Sequence, residues 1–228
     1  MRALQFTAGS PFARGVRVIL DELGLDWERR EETTSATVAE RAAATPTLQV
    51  PILWDGDRIL WESGVTAEYL LREYRRRPAV QPPLAAALAR PEREWDDRLV
   101  FATIQTLGTA VTTVSQMTWT GVRHCENEYL ARCANRLPHL LQWLDARISR
   151  EGGFFDGELS AQDIFLVCHL EFIVNRPLGL DPALARFPSI EALIRRLRDR
   201  ASFQNNPILW WEPEVTSKAM DSRTPGSN

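Results

Sequence analysis

Lysine is all but absent from this 228-residue chain, occurring only at position 218, and histidine and cysteine occur three times each. No hydrophobic run reaches the roughly 20 residues that span a bilayer, and the stretch Met1 to Thr7 lacks the apolar core of a signal peptide. A membrane partner is therefore not expected, and the expected location is the cytoplasm. Cys125, Cys133 and Cys168 show neither CxxC spacing nor an even count, which excludes a disulfide framework and fits a reducing compartment. Each reads as a small core residue. His124, His139 and His169 match no familiar metal-ligand spacing, so no metal is expected; His124 beside Cys125 is the one adjacent pair and is set aside. Arginine carries the positive charge almost alone, a bias of the whole composition. The net charge of −3 leaves no excess of cations to coat nucleic acid.

What is present is ordinary for a globular protein, with 44% hydrophobic and 25% charged residues. A chain of this length buries roughly 70% of its unfolded surface, as one large domain or two small ones. Ala3, Leu4 and Phe6 read as a brief strand, and Val16, Ile19, Leu20 and Leu23 recur at helical spacing up to Gly24. Between them stands Ser10-Pro11-Phe12-Ala13-Arg14. Serine is a preferred N-cap, and proline suits the first helical position, where its missing amide has no partner to lose. A hydroxyl is thus presented at a helix N-terminus, at the carboxyl end of a strand, where first-turn amides and the helix dipole favour an anion. On these residues alone Ser10 is a cap, an anion ligand, or both, because a hydroxyl donates one proton and still accepts. Gly15 costs about 1 kcal/mol inside the helix relative to alanine, and nothing in the sequence accounts for it.

Trp27 to Glu32 reads as a charged edge strand, and Val38 to Ala44 as a short helix that stops before Pro46. Two apolar runs, Val50 to Trp54 and Arg58 to Trp61, flank Asp55-Gly56, a strong hairpin signal. Glu62-Ser63 opens the next helix, with Ser63 read as its N-cap. That helix runs to about Tyr74, with Arg75, Arg76 and Arg77 at its carboxyl end. The order is βαβαββα.

Three features of this order, Ser10-Pro11-Phe12 with Arg17 beyond it, Val50-Pro51 before a hairpin, and Glu62-Ser63 opening a helix, resemble the thioredoxin-like N-terminal domain of cytosolic glutathione S-transferases, in particular their serine-type, bacterial-like members. The resemblance implies that Ser10 is catalytic and donates a hydrogen bond to the glutathione sulfur. It implies a cis Val50–Pro51 bond that turns the Val50 main chain toward the cysteinyl part of glutathione. Ser63 would take the α-carboxylate and Glu62 the α-ammonium of the γ-glutamyl end, and Gln49 and Phe12 complete the implied glutathione-binding set. Many relatives place a lysine where this chain has Gln49, so a charge for the glycyl carboxylate is missing; nearby Arg41 is the candidate replacement. The chemistry is affordable: lowering a thiol pKa of about 8.5 by about two units takes roughly 2.7 kcal/mol. One hydrogen bond to a charged group supplies about 1.5–3 kcal/mol, and a helix N-terminus adds to it.

Pro78 to Pro83 reads as a linker. It divides a domain of residues 1–77 from an all-helical one of residues 84–206, followed by a tail, 207–228. A long helix is expected from Pro91 to about Gln116, and a second along Leu130, Cys133, Leu137, Leu141, Leu144 and Ile148, kinked or split by Pro138. Ser160 and Asp163 form a capping box, as in the resembled family, for a helix so apolar through Val174 that it must be buried. A last helix carries Ile190, Leu193, Ile194 and Leu197, with Arg195, Arg196, Arg198 and Arg200 as its solvated side. Trp210 and Trp211 are expected to pack back on the body and the polar tail to be mobile.

The expected fold class is α/β plus all-α, a thioredoxin-like domain followed by a helical bundle. The resemblance implies an enzyme in which the glutathione thiolate attacks a small electrophilic apolar substrate, a detoxifying alkyl or aryl transfer with isomerase or dehalogenase variants. The second substrate would lie in an apolar cleft for which Trp95, Phe101 and Trp119 are candidates, and the implied assembly is a homodimer. Thiol–disulfide exchange is disfavoured, because no cysteine lies near Ser10. The alternative is a non-catalytic binding or regulatory module on the same fold, supported by the missing lysine before Val50.

Overall fold

Seven elements follow one another in the expected order: β1 (Arg2–Phe6), α1 (Pro11–Leu23), β2 (Glu28–Glu31), α2 (Val38–Ala44), β3 (Ile52–Asp55), β4 (Arg58–Trp61) and α3 (Ser63–Glu73). They come from a computed structural model that describes residues 1–32, 38–74, 83–210 and 218–219. The sheet runs β2-β1-β3-β4, with β2 parallel to β1 and the other neighbours antiparallel. Strand β2 is the charged edge, and Glu28, Arg29, Arg30 and Glu31 are all exposed, which blunts its unpaired side. Gly56 takes the left-handed conformation of the hairpin turn at φ +61°. Asp55 beside it accepts from the Tyr69 hydroxyl at 3.1 Å and from Tyr74, and pairs with Arg2 at 3.1 Å, tying α3 across the hairpin. Desolvation and the Asp55 carboxylate push the Tyr69 hydroxyl above its ordinary range. Arg75, Arg76 and Arg77 and most of the expected linker lie outside the described residues.

The chain re-enters beside the helical half: the Leu159 N–H donates to the Pro83 carbonyl at 2.9 Å, and the Ala85 N–H to the Leu159 carbonyl at 2.7 Å. Helices α4 (Glu94–Trp119), α5 (Glu128–Asp145), α6 (Ala161–Val174), α7 (Pro188–Arg198) and α8 (Ala201–Gln204) then follow. A thioredoxin-like domain with a four-stranded mixed sheet thus precedes an all-helical one. Helix α4 begins after a 3-10 turn over Pro91–Arg93 and runs beyond Gln116. Helix α5 is not split at Pro138. That position lies on the exposed side of the helix, while Leu137 and Leu141 hold the opposite side in the core.

Helix α6 is buried along every residue from Ala161 to Ile173 and forms the centre of the molecule. Its capping box is complete: Asp163 accepts from the Ser160 amide at 2.8 Å, and the Asp163 amide donates to Ser160 Oγ at 3.1 Å. Asp163 also accepts from the Phe154 amide at 3.0 Å. The arginine side of α7 is solvated as expected at Arg195 and Arg198, while Arg196 and Arg200 are half-buried. Arg198 Nε donates to the buried Glu171 at 2.6 Å, Arg200 is drawn onto Glu22 of α1 at 2.6 Å, and Arg196 covers the backbone of Gly152 and Gly153. Cys133 and Cys168 are core residues, but Cys125 is exposed on the 3-10 turn His124–Glu126. The backbone of Leu209–Trp210 pairs antiparallel with Lys218–Ala219, while Trp211 and the residues after Ala219 lie outside the described residues. Among the described residues no helix is long and apolar enough to cross a membrane.

Candidate active site

Strand register gathers the site. Gln5 of β1 stands opposite Ile52 of β3, and Ile52 opposite Trp61 of β4. The carboxyl end of β1, the start of β3 and the carboxyl end of β4 therefore share one end of the sheet. One step beyond that row, the chain places the turn Thr7 to Ser10, the segment Gln49-Val50-Pro51, and Glu62-Ser63. Helices α1 and α3 both start at this end, so their N-terminal amides and positive dipole ends are added to it. Neither helix has an acidic residue in its first turn.

Ser10 is the N-cap of α1, with φ −79° and ψ 119°, and its Oγ accepts from the Ala13 amide at 3.2 Å. The hydroxyl proton is not used in that bond and can be donated outward. Pro11 fills the first helical position. Phe12 stands apart from the other expected glutathione-binding residues, its ring edge-on to His169 of α6 at 4.7 Å.

The Val50–Pro51 bond is cis. Gln49 beside it is exposed. Arg41 is not free to replace a lysine there: its guanidinium pairs with Glu32 at 2.5 Å and donates to the Leu48 carbonyl at 3.2 Å. Glu32 is buried and also accepts from Gln5, so a buried carboxylate neutralises the only arginine that sequence reasoning offered.

Ser63 is the first residue of α3 rather than its cap. The cap is Glu62, which turns the chain into the helix with φ +63° and ψ 113° and makes no side-chain capping bond. A non-glycine residue held there costs about 1–3 kcal/mol. Ser63 is buried, whereas Glu62 is exposed at the open end of the sheet.

Sequence reasoning named Arg17 in the motif without a role, and it missed the burial of three arginines beneath this end. Arg14, Arg17 and Arg176 are 4%, 1% and 7% exposed. Arg14 pairs with Glu171 at 2.5 Å and donates to the Asn206 carbonyl at 2.7 Å. Arg17 lies on the Phe6 ring at 4.7 Å, and desolvation, with repulsion from Arg14 and Arg29, pushes its pKa down to about 9. Local pattern gave no signal of this burial: Val16, Ile19, Leu20 and Leu23 mark one apolar face of α1, and Arg14 and Arg17 stand off that face, where spacing alone predicts solvent. The three candidates for an apolar cleft are separated. Trp95 is exposed at one end of α4, Phe101 is buried against Phe165 at 5.4 Å, and Trp119 is the last residue of the helix. A rise of 1.5 Å per residue sets Trp95 and Trp119 roughly 36 Å apart, too far to line one small-molecule cleft.

Comparison with known proteins meets this geometry. A glutathione S-transferase from Methylobacillus flagellatus with glutathione bound superposes with a TM-score of 0.74 at 20% identity, over 90% of this chain and 98% of that one. The glutathione transferase URE2P6 of Phanerochaete chrysosporium, in complex with oxidized glutathione, gives 0.70 at 20% identity over 90% and 94%. At such identities the likeness is one of fold. Glutathione S-transferase-like protein gedE of Aspergillus terreus is 32% identical over 90 residues, and the match spans 38% of this chain and 40% of that relative. Residues 4–78 match the family model of the glutathione S-transferase N-terminal domain and residues 127–196 that of the C-terminal domain, which together take in more than half of the sequence, and the chain belongs to the glutathione S-transferase family.

Proposed function

We propose that this chain is a serine-type glutathione transferase whose active group is Ser10. The observation that carries the reading is the shared end of the sheet, where the capped Ser10 hydroxyl, the cis Val50–Pro51 segment and the Glu62-Ser63 helix start converge on two helix N-termini. Glutathione binds along it, with the γ-glutamyl end at Glu62 and Ser63, the cysteinyl main chain at Val50 and the glycyl end toward Gln49. The Ser10 proton meets the sulfur, and the thiol proton leaves to solvent. The thiolate attacks an electrophilic carbon of a small apolar substrate, a sulfur–carbon bond forms, and the leaving group departs with its electron pair. The strained backbone of Glu62 supports a ligand role there, because such strain is concentrated at functional sites.

The working assembly is a two-fold dimer. Val65 of α3 and Trp95 and Leu99 of α4 are 55%, 75% and 57% exposed, and the Arg98–Glu68 contact at 3.3 Å shows that the two helices are neighbours. A second copy of the chain would cover them.

One observation favours the alternative of a binding or regulatory module: the glycyl end has Gln49, and Arg41 is committed to Glu32. Thiolate absorbance of bound glutathione, followed against pH, separates the two. The transferase reading expects the bound thiol to ionise about one to two units below free glutathione and Ser10→Ala to lose that shift. Glutathione that binds without ionising leaves Ser10 only a cap.

A further inference from the structure

The turn that carries Ser10 has four carbonyls in succession, and each has a donor. The Thr7 carbonyl accepts the Ser10 amide at 3.0 Å, and the Ser10 carbonyl accepts the Arg14 amide at 3.0 Å, as the turn and the helix require. The two between them are held by side chains from elsewhere. Arg17 Nη2 donates to the Ala8 carbonyl at 3.4 Å, and Arg176 Nη2 donates to the Gly9 carbonyl at 2.8 Å across 167 positions of sequence. Arg17 comes from the next turns of α1, and Arg176 stands just past the end of α6. Both guanidiniums are buried and lodged on rings, Arg17 on Phe6 at 4.7 Å and Arg176 on Phe172 at 4.0 Å.

Desolvation lowers the Arg17 pKa to about 9 and that of Arg176 to about 10. The fold therefore carries the cost of two dehydrated cations at the backbone immediately before the active hydroxyl. A neutral donor would satisfy an ordinary carbonyl; a charged one makes a bond roughly twice as strong.

We propose that Arg176, together with Arg17, is a positioning residue for Ser10: by clamping the Gly9 and Ala8 carbonyls it fixes the direction in which the Ser10 hydroxyl points and so sets how far bound glutathione ionises. The inference rests on the reading of Ser10 given above. Its physical basis is the steep dependence of a hydrogen bond on distance and angle. The Ala13 amide fixes one lone pair of Oγ, so the remaining freedom of the donated proton is set by the backbone at Gly9 and Ser10. Arg14, the other buried cation of this region, is paired with Glu171 and takes no carbonyl of the turn before Ser10 with its side chain.

The test uses the full chain, glutathione and S-methylglutathione, which occupies the same site without an ionisable thiol. Arg176→Gln is expected to raise the bound thiol pKa by about one unit while leaving S-methylglutathione affinity within about twofold. Arg176→Lys, which keeps a charged donor, restores more than half of the shift. In a Ser10→Ala background Arg176→Gln adds no further rise, because the arginine acts through the hydroxyl. A thiol pKa unchanged in Arg176→Gln overturns the inference and leaves the transferase reading standing. An equal loss of S-methylglutathione affinity, or a full additional rise on top of Ser10→Ala, also overturns it. Wild-type protein that does not lower the thiol pKa removes both. Should Arg176→Gln fail to fold, Arg17→Gln makes the same test on the neighbouring carbonyl, with the same outcomes.

Discussion

Gly15 of α1 lies against the ring of Phe165 in α6: a Cβ built on the glycine would stand 2.5 Å from Cε1 of that ring. Phe165 is fully buried and also packs edge-on with Phe101 at 5.4 Å, so it has little room to retreat. The residue that weakens α1 as an isolated helix is what lets α1 reach the central helix. Gly15→Ala gains about 1 kcal/mol of helix propensity and incurs an overpacking cost of about 1–3 kcal/mol. At such a short contact the second term is expected to win. Urea unfolding should show net destabilisation, and Phe165→Leu added to Gly15→Ala should recover part of it.

Glu22 and Arg200 form a buried pair, with side chains 2% and 9% exposed and a contact of 2.6 Å, and Ser202 Oγ donates to the same carboxylate at 2.5 Å. Removing one partner leaves a charge in the interior. Arg200→Met should therefore cost about 3–5 kcal/mol, whereas Glu22→Leu with Arg200→Met should lie much closer to wild type. Equal losses in the single and double variants would show that packing, not charge, dominates at this place.

His169 is fully buried, neither ring nitrogen meets a protein partner, and a Cβ at Gly108 would stand 2.4 Å from its ring. Burial pushes its pKa from 6.5 to about 3. The folded state thus binds fewer protons than the unfolded one, so the neutral ring's contribution is complete above pH 6.5 and is lost as pH falls toward about 3. The loss is about 1.4 kcal/mol per pH unit inside that window. Between pH 6.5 and pH 4.5 wild type should lose about 2 kcal/mol more than His169→Leu, measured as the difference in their urea stabilities at the two values. Parallel curves would refute the shift.

Gln49 is exposed beside the cis Val50–Pro51 bond, and Arg41 is paired with Glu32. On the transferase reading, Gln49→Lys should tighten glutathione about fivefold, the value of roughly 1 kcal/mol for an added charged hydrogen bond at an exposed site. The gain should shrink with added salt. Calorimetric titration at two ionic strengths checks it, and an unchanged affinity would place the glycyl end elsewhere.

Several features of this protein were determined by neighbours in sequence. The N-cap at Ser10, the box at Ser160 and Asp163, the hairpin at Asp55-Gly56 and the burial of α6 each depend on residues within a few positions, and the structure shows them all. The βαβαββα order followed from the same local signals, and it brings Ser10, Val50, Pro51, Glu62 and Ser63 to one end of the sheet through strand register. The tertiary structure decided what local pattern cannot carry. Arginine is a long side chain whose stem can be buried and whose head finds a partner wherever the fold supplies one. Arg14 reaches Glu171, Arg176 reaches Gly9 and Arg200 reaches Glu22, across 157, 167 and 178 positions, so guanidiniums that local spacing leaves at the surface end against interior partners. Gly15 was legible only as a weakness because Phe165 arrives from another helix, and Pro138 falls on the exposed side of a helix whose opposite side is fixed in the core. Short-range hydrogen bonds write themselves into spacing, whereas burial of charge and close helix approach are set by which distant surfaces the fold brings together.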